Sequence, residues 1–226
     1  MKGYGQFCPI AKAAEILAER WTLLVLRELL LGSQRYNDIR RGVPRMSPTL
    51  LADRLKQLEE VGIVKRARKQ NGSIVEYRLT EAGLQLKPLM GTLAAWGHQW
   101  ANRTVSRGDL DAGFLMWSIR RNLVIKFLPL TRTVIHVEFR DGQPRHRWWL
   151  IIEDGVADLC MNDPGHEPDL YIHTDLLTLT RVFDYRISIA EARSSGRLKL
   201  QGSAALVRTV DKWFGRPAAK RLRDAE

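Results

Sequence analysis

The stretch Ser47-Pro48-Thr49-Leu50-Leu51-Ala52-Asp53-Arg54-Leu55-Lys56-Gln57-Leu58-Glu59-Glu60-Val61-Gly62 decides how this chain folds. Ser47 suits a helix start, since its hydroxyl accepts one of the backbone N–H groups that a first turn leaves unpaired. Pro48 then occupies the first helical position, where a missing N–H costs nothing. Leu50, Leu51, Leu55 and Leu58 recur at helical spacing and predict a buried stripe. Gly62 ends the helix. The opposite face carries Thr49, Asp53, Lys56 and Gln57, with Arg45 just upstream. Leucines behind and short polar and basic groups in front give the form that enters a major groove. The alternative is an ordinary surface helix of a bundle, and the flanking residues decide between the two.

Upstream, residues 1–8 read as an arm ending at Cys8-Pro9, followed by a short helix with Ile10, Ala13, Ala14 and Leu17 on one side. After a break at Ala18-Glu19-Arg20, the run from Trp21 to Leu31 is apolar enough to predict a buried second helix. Tyr36 to Arg41 predicts a third, and Gly42-Val43-Pro44-Arg45-Met46 connects it to the Ser47 helix. Two helices joined by a short Gly-containing turn, the second amphipathic, make a helix-turn-helix. Past Gly62 the period switches to two. Ile63 to Lys69 and Ser73 to Leu79 predict paired strands around Asn71-Gly72, a strong hairpin signal. Lys65, Arg66, Arg68 and Lys69 crowd one strand and its loop, as in a wing that reaches phosphates or a minor groove. A solvated edge strand guarded by lysines is the plainer reading.

Thr80 caps a helix predicted to run to about Asn102. Leu86, Leu89, Leu93, Trp96 and Trp100 form a helix-pairing seam along it, and Pro88, Gly91 and Gly97 predict a bend. Packing on its own domain is the alternative. Arg103 to Asp111 reads as a linker. The second half then predicts a helix from Phe114 to Leu128, interrupted at Arg120-Arg121 and stopped by Pro129. Strands follow at Thr133–Arg140, Trp148–Ile152, Val156–Met161, Leu170–Thr174 and Leu198–Leu200. Helices are expected at Leu176–Phe183, Ile189–Ser195 and Ala204–Phe214. Antiparallel hairpins with helices gathered after them indicate an α+β domain.

Composition narrows the function. The chain has 226 residues, 45% of them hydrophobic, enough for one large or two small packed domains. Its net charge is +11, which favours an anionic partner. Residues 1–105 carry 17 Lys+Arg against 9 Asp+Glu, and residues 106–226 carry 19 against 16, so the polyanion-binding half is the first. No run is long enough to span a bilayer, no signal peptide follows Met1-Lys2-Gly3, and two distant cysteines make no disulfide framework. A reduced, cytoplasmic protein is expected. The five histidines show no metal-ligand spacing, and GxSxG, phosphate-loop and HExxH motifs are absent, so neither a catalytic centre, a metal nor a cofactor is expected.

Both halves resemble known families. Cys8-Pro9-Ile10, Arg20 to Leu29, Arg35 to Arg40, Ser47 to Leu51, Arg54 to Glu59, Gly62-Ile63-Val64, Glu76 to Gly83 and Trp96-Gly97 resemble the HxlR-type winged-helix transcriptional regulators. The resemblance implies homodimers on double-stranded DNA, paired through their terminal helices. It also implies a role for Cys8, because some such regulators sense oxidants or electrophiles through a cysteine near this position. Residues 112–214 are similar to a sterol carrier protein type 2 domain, through Trp149 to Gly155, Pro168 to Thr174 and Gly196 to Ser203. That likeness implies a small α+β fold with an apolar cavity.

The expected architecture is thus a mainly α winged helix-turn-helix domain over 1–105, then a sterol-carrier-like α+β domain with an antiparallel sheet over 106–226. Candidate DNA contacts are Arg35, Tyr36, Arg45, Ser47, Thr49, Asp53, Lys56, Arg68, Lys69 and Asn71; Arg54 falls near the leucine stripe and is equally a structural ion-pair partner. Leu86, Leu89, Leu93, Trp96 and Trp100 are the candidate dimer interface. Cys8 is the candidate sensor thiol, where a helix dipole can favour thiolate, or else a small apolar packing residue. Trp148 and Trp149 are candidate pocket residues for an apolar effector, although one must serve the core because adjacent strand residues point to opposite faces. The function expected is a DNA-binding regulator, with repression the family's usual habit. The alternative is a hydrophobic-ligand carrier docking on anionic membranes.

Overall fold

A computed structural model describes residues 3–68, 75–101, 105–142 and 146–215. The chain forms two compact units, the first ending at Gly97 and the second beginning at His98. That division falls before the polar stretch around 105.

In the first unit α1 (Pro9–Leu17), α2 (Thr22–Leu30), α3 (Tyr36–Gly42) and α4 (Pro48–Glu60) are followed by β1 (Val64–Arg68) and β2 (Val75–Leu79). Next come α5 (Glu81–Leu84) and α6 (Lys87–Trp96), and the π-helical turn Gly97–Ala101 then leads into the second unit. Val25, Leu26, Ile39, Leu51, Leu55, Leu58 and Val64 meet in one buried cluster, so the α4 stripe is buried against α2, α3 and β1. Leu50, on the margin of the stripe, is only partly buried. Trp21, expected inside α2, precedes it in a left-handed conformation (φ 77°) that lets the chain turn sharply out of α1. The helix predicted from Thr80 to about Asn102 is interrupted. Leu86 bounds α6, and Pro88 in its first turn has no N–H to continue the α5 ladder.

β1 and β2 pair antiparallel from Val64↔Leu79 to Arg68↔Val75. The Asn71-Gly72 turn lies outside the described residues. β2 is also held from the other side, where the Tyr77 N–H donates to the Gln34 carbonyl at 2.8 Å.

The second unit contains α7 (Ala112–Asn122), β3 (Thr133–Phe139), β4 (Arg147–Glu153), β5 (Val156–Cys160), β6 (Leu170–Thr174), α8 (Leu176–Phe183), α9 (Ile189–Ser194), β7 (Lys199–Gly202) and α10 (Ala204–Trp213). The expected Phe114–Leu128 helix ends at Asn122 instead, and a separate 3-10 turn spans Ile125–Phe127. Arg120 and Arg121 do not interrupt it; they occupy its last turn, where cations suit the dipole.

The strands form one sheet in the order β5-β4-β3-β6-β7. It is mixed rather than antiparallel throughout, because β6 pairs parallel to β3. Residues 161–169 carry the chain across from the β5 edge to the far side of β3. Asp169 fixes the landing: its carboxylate accepts the Val134 N–H and its own N–H donates to the Val134 carbonyl, both at 2.8 Å. One sheet face, with Ile135, Val137, Phe139, Trp148, Leu150 and Ile172, forms the core with α7, α8 and α10. The register sets Cys160, Trp149, His136, Tyr171 and Gln201 in one transverse row on the opposite face.

Candidate nucleic-acid interface

The site is built on α4. Ser47 accepts the Leu50 N–H at 3.2 Å and Pro48 stands in the first turn, as the sequence predicts. At the far end the Gly62 N–H donates to the Glu59 carbonyl and the Ile63 N–H to the Leu58 carbonyl, with Gly62 at φ 72°. This is the Schellman arrangement, and its left-handed residue favours glycine. With both ends fixed and Leu51, Leu55 and Leu58 buried, Thr49, Asp53 and Lys56 are exposed on the opposite face. Ala52 and Glu60 share it, and Lys56 reaches Glu60 at 3.8 Å. A pair so exposed is weak and yields readily to a phosphate.

Gln57 departs from the expected face, and Arg54 takes the structural one of its two expected roles. Gln57 turns aside, half-buried, and its Oε1 accepts from Arg54 Nη1 at 2.6 Å. Arg54 itself is buried, with Nη2 3.4 Å from Glu19 Oε2, so it ties α4 to the segment before α2 instead of facing outward.

Around α4, Arg35 and Arg45 are exposed. Tyr36 is half-buried and donates its hydroxyl proton to the Pro48 carbonyl at 2.8 Å, which positions the start of α4. Lys65 and Arg66 are exposed on β1, and the Arg66 guanidinium lies 5.9 Å from the Tyr77 ring centroid. Arg78 is engaged by Glu76 at 2.8 Å. Lys69 and Asn71, with the side chain of Arg68, lie outside the described residues.

A buried ion pair that sequence reasoning missed lies behind the site. Glu28 is 0% exposed. Arg27 Nε donates to its Oε1 at 3.1 Å, while Arg27 Nη2 donates to the Gly42 carbonyl at 2.7 Å. The pair therefore holds the connection between α3 and α4. The signal was a charged dipeptide inside an otherwise apolar helix.

Leu89, Leu93, Trp96 and Trp100 are all exposed on the single chain, whereas Leu86 packs against the first unit's core. Tyr4, Phe7 and Ile10 are exposed as well. Cys8 is half-buried at the N-cap of α1 and makes no side-chain cap bond. The arm before it is anchored where Glu15 accepts the Tyr4 N–H at 2.8 Å. That bond, with Lys12 beside it, holds the Glu15 carboxyl below its ordinary range.

Trp148 is in the second unit's core, and Trp149 is buried on the opposite sheet face, 4.8 Å from the His136 ring. Neither is among the residues that line the pocket between α7 and α8. No group of three or more metal-ligating side chains occurs among the described residues, and no described helix is long and apolar enough to cross a membrane.

The HxlR-like helix-turn-helix family matches residues 16–105. The HTH-type transcriptional regulator YvaP of Bacillus subtilis (strain 168) is 39% identical over 97 residues, which are 42% of this chain and 90% of YvaP. YodB of the same organism is 35% identical over 95 residues, 41% of this chain and 85% of YodB. Rv3095 of Mycobacterium tuberculosis is 41% identical over 97 residues, 42% of this chain and 60% of Rv3095. Among solved structures, reduced YodB has a TM-score of 0.39 at 32% identity, covering 44% of this chain and all (100%) of that one. The oxidised redox regulator HypR has a TM-score of 0.39 at 32% identity, covering 43% and 100%. The chain belongs to the HxlR-like helix-turn-helix family of transcriptional regulators.

Proposed function

We propose that this regulator acts as a homodimer on a two-fold symmetric operator, reading each half-site with the exposed face of α4. Thr49, Asp53 and Lys56 face base edges and the nearest phosphates, and Ser47 serves mainly as the cap. Arg35 and Arg45 supply phosphate contacts beside the helix, and the basic β1–β2 hairpin is the wing. The observation that carries this reading is the exposure of Thr49, Asp53 and Lys56 on a helix whose other side buries Leu51, Leu55 and Leu58 in the core. The exposed row Leu89, Leu93, Trp96 and Trp100 is the surface assigned to the partner subunit. Repression is the expected sign, by steric exclusion of the transcription machinery.

The second unit is read as an effector domain of the sterol-carrier kind, which biases the dimer between DNA-competent and incompetent geometries. An effector shifts that balance only by binding the two geometries with different affinity. Cys8, at the first turn of α1, is a second input, through modification of its thiol.

Binding to the DNA upstream of the protein's own gene tests the reading. The expected result is a footprint with two-fold symmetry and an affinity that falls steeply with salt. Equal affinity for that DNA, for random DNA and for anionic liposomes overturns it in favour of a carrier that docks on anionic surfaces. Operator binding by a Cys8→Ser protein that matches the native protein in both oxidising and reducing conditions removes the thiol input alone.

A further inference from the structure

We propose that Asp53 selects a cytosine in each half-site, by accepting a hydrogen bond from the N4 amine of that base in the major groove. This rests on the reading of α4 as the groove helix and goes on to name a base that the helix reads.

Asp53 is exposed in the second turn of α4 and has no hydrogen-bond or ion-pair partner among the described residues. Its neighbours along the helix are engaged elsewhere. Lys56, three residues on, reaches Glu60 at 3.8 Å. Arg54 Nη1 donates to Gln57 Oε1 at 2.6 Å, and Arg54 Nη2 lies 3.4 Å from Glu19 Oε2. The first turn, where a carboxylate would favour the helix dipole, lies before Asp53, and the helix start is capped by Ser47. Asp53 therefore serves as neither cap, dipole partner nor ion pair within the first unit.

A carboxylate on this face is costly against DNA, because it meets the phosphates as a like charge. The cost is offset only where the carboxylate meets a donor, since an ionised carboxylate accepts hydrogen bonds and donates none. In the major groove the base-edge donors are the cytosine N4 and adenine N6 amines; guanine presents two acceptors, and thymine an acceptor and a methyl group. The adenine amine stands between two acceptors, its own N7 and the O4 of the paired thymine, and both repel the carboxylate oxygens. The cytosine amine has the guanine O6 on one side and a C5–H on the other, so C·G is the pair that Asp53 favours. Thr49, one turn earlier, both donates and accepts, and Lys56 only donates, so neither makes the same demand.

Selection of bound duplexes from a random library, with the native protein, Asp53→Ala and Asp53→Asn, tests the proposal. The native protein is expected to select a two-fold symmetric motif in which one C·G pair of each half-site is preferred about tenfold over the other pairs. Asp53→Ala is expected to lose the preference at that pair and keep those elsewhere in the motif. Asp53→Asn is expected to move it to A·T, because an amide matches the adenine N6 and N7 pattern. A change on the DNA isolates the bond itself. Replacing that cytosine by 2-pyrimidinone, which lacks the amine, is expected to weaken the native protein about tenfold and Asp53→Ala by less than about twofold. The same motif from the native and Asp53→Ala proteins, an Asp53→Ala protein that binds every sequence tighter by one factor, or equal losses on the pyrimidinone duplex overturns the cytosine contact and keeps α4 as the reading helix. A native protein that selects no motif overturns the reading of α4, and the contact with it.

Discussion

Gly42 shows how one missing side chain sets the interface. A Cβ there would overlap the Glu28 carboxylate, which is buried and held by Arg27. Gly42→Ala is therefore expected to destabilise the first unit by about 2–4 kcal/mol, through overpacking and disruption of a buried pair, measured by urea unfolding. Gly97 is the contrast: its backbone is helical (φ −61°) and a Cβ there meets nothing. Gly97→Ala should stabilise by about 0.5–1 kcal/mol, by restricting the unfolded chain. In the second unit His136 is 8% exposed and its Nδ1 has no hydrogen-bond partner among the described residues. Burial holds the imidazole pKa below its ordinary 6.5, outweighing Glu138, which pulls it up; His173 and Arg147 add to the lowering and Asp163 opposes it. The unfolded chain then binds the proton more readily, so this contribution is complete above about pH 6.5 and is lost as pH falls below it. Glu138 acts later. Burial raises its pKa, but the bonds from Arg147 and His173 outweigh that and hold it low, so its contribution is lost only as pH falls below the usual carboxylate range. Unfolding midpoints between pH 7.5 and 5 should fall for the native protein and stay flatter for His136→Phe. An equal fall in both would move the titration elsewhere.

In α4, the cap and the reading surface are separable. Ser47→Ala removes the bond to the Leu50 N–H and is expected to cost about 1 kcal/mol of stability, with base preference unchanged. Lys56→Ala should leave stability within about 0.5 kcal/mol but lower the slope of log affinity against log salt by about one unit, read by anisotropy titration at several salt concentrations. An unchanged slope would remove Lys56 from the phosphate contacts. Elements like α4 were legible because cap, stripe and terminal glycine all agree within one local stretch. The α8 boundaries, Leu176–Phe183, were equally plain. What escaped were relations between distant residues. Nothing local to Leu170–Thr174 tells that it pairs parallel to β3, since that follows from the crossover of residues 161–169. In the long helix after Thr80, Pro88 marked a bend, but the leucine spacing that runs through it hid the full break between α5 and α6 at Gln85-Leu86. The hydroxyl bond from Tyr36 to Pro48 joins two helices and leaves no mark in the sequence of either. Trp148 and Trp149 illustrate the same point: aromatic content signals burial, and both side chains are buried, on opposite sheet faces.

The uneven charge of the chain bears on assembly. A surplus of basic groups in residues 1–105 gives each copy a weak, sequence-independent hold on DNA. Selectivity for one operator then depends on joining two copies, since a second half-site contact becomes intramolecular once the first is made. The row Leu89, Leu93, Trp96 and Trp100 is the surface to test, because Leu93 is 42% and Trp96 57% exposed on one chain. A charge placed there disturbs little within the subunit but is buried unpaired if a second copy covers the row. Leu93→Glu is therefore expected to keep the native unfolding midpoint when measured as a monomer, to sediment as a single copy, and to retain the affinity of one subunit for an isolated half-site. On a full operator, with half-sites one helical turn apart, about 34–36 Å, its affinity should fall by about two orders of magnitude or more, because only the intramolecular advantage is lost. Loss of half-site binding along with operator binding would mean instead that the row supports α4 from within the subunit. A Leu93→Glu protein that still sediments as the native assembly would place the subunit contact on another surface.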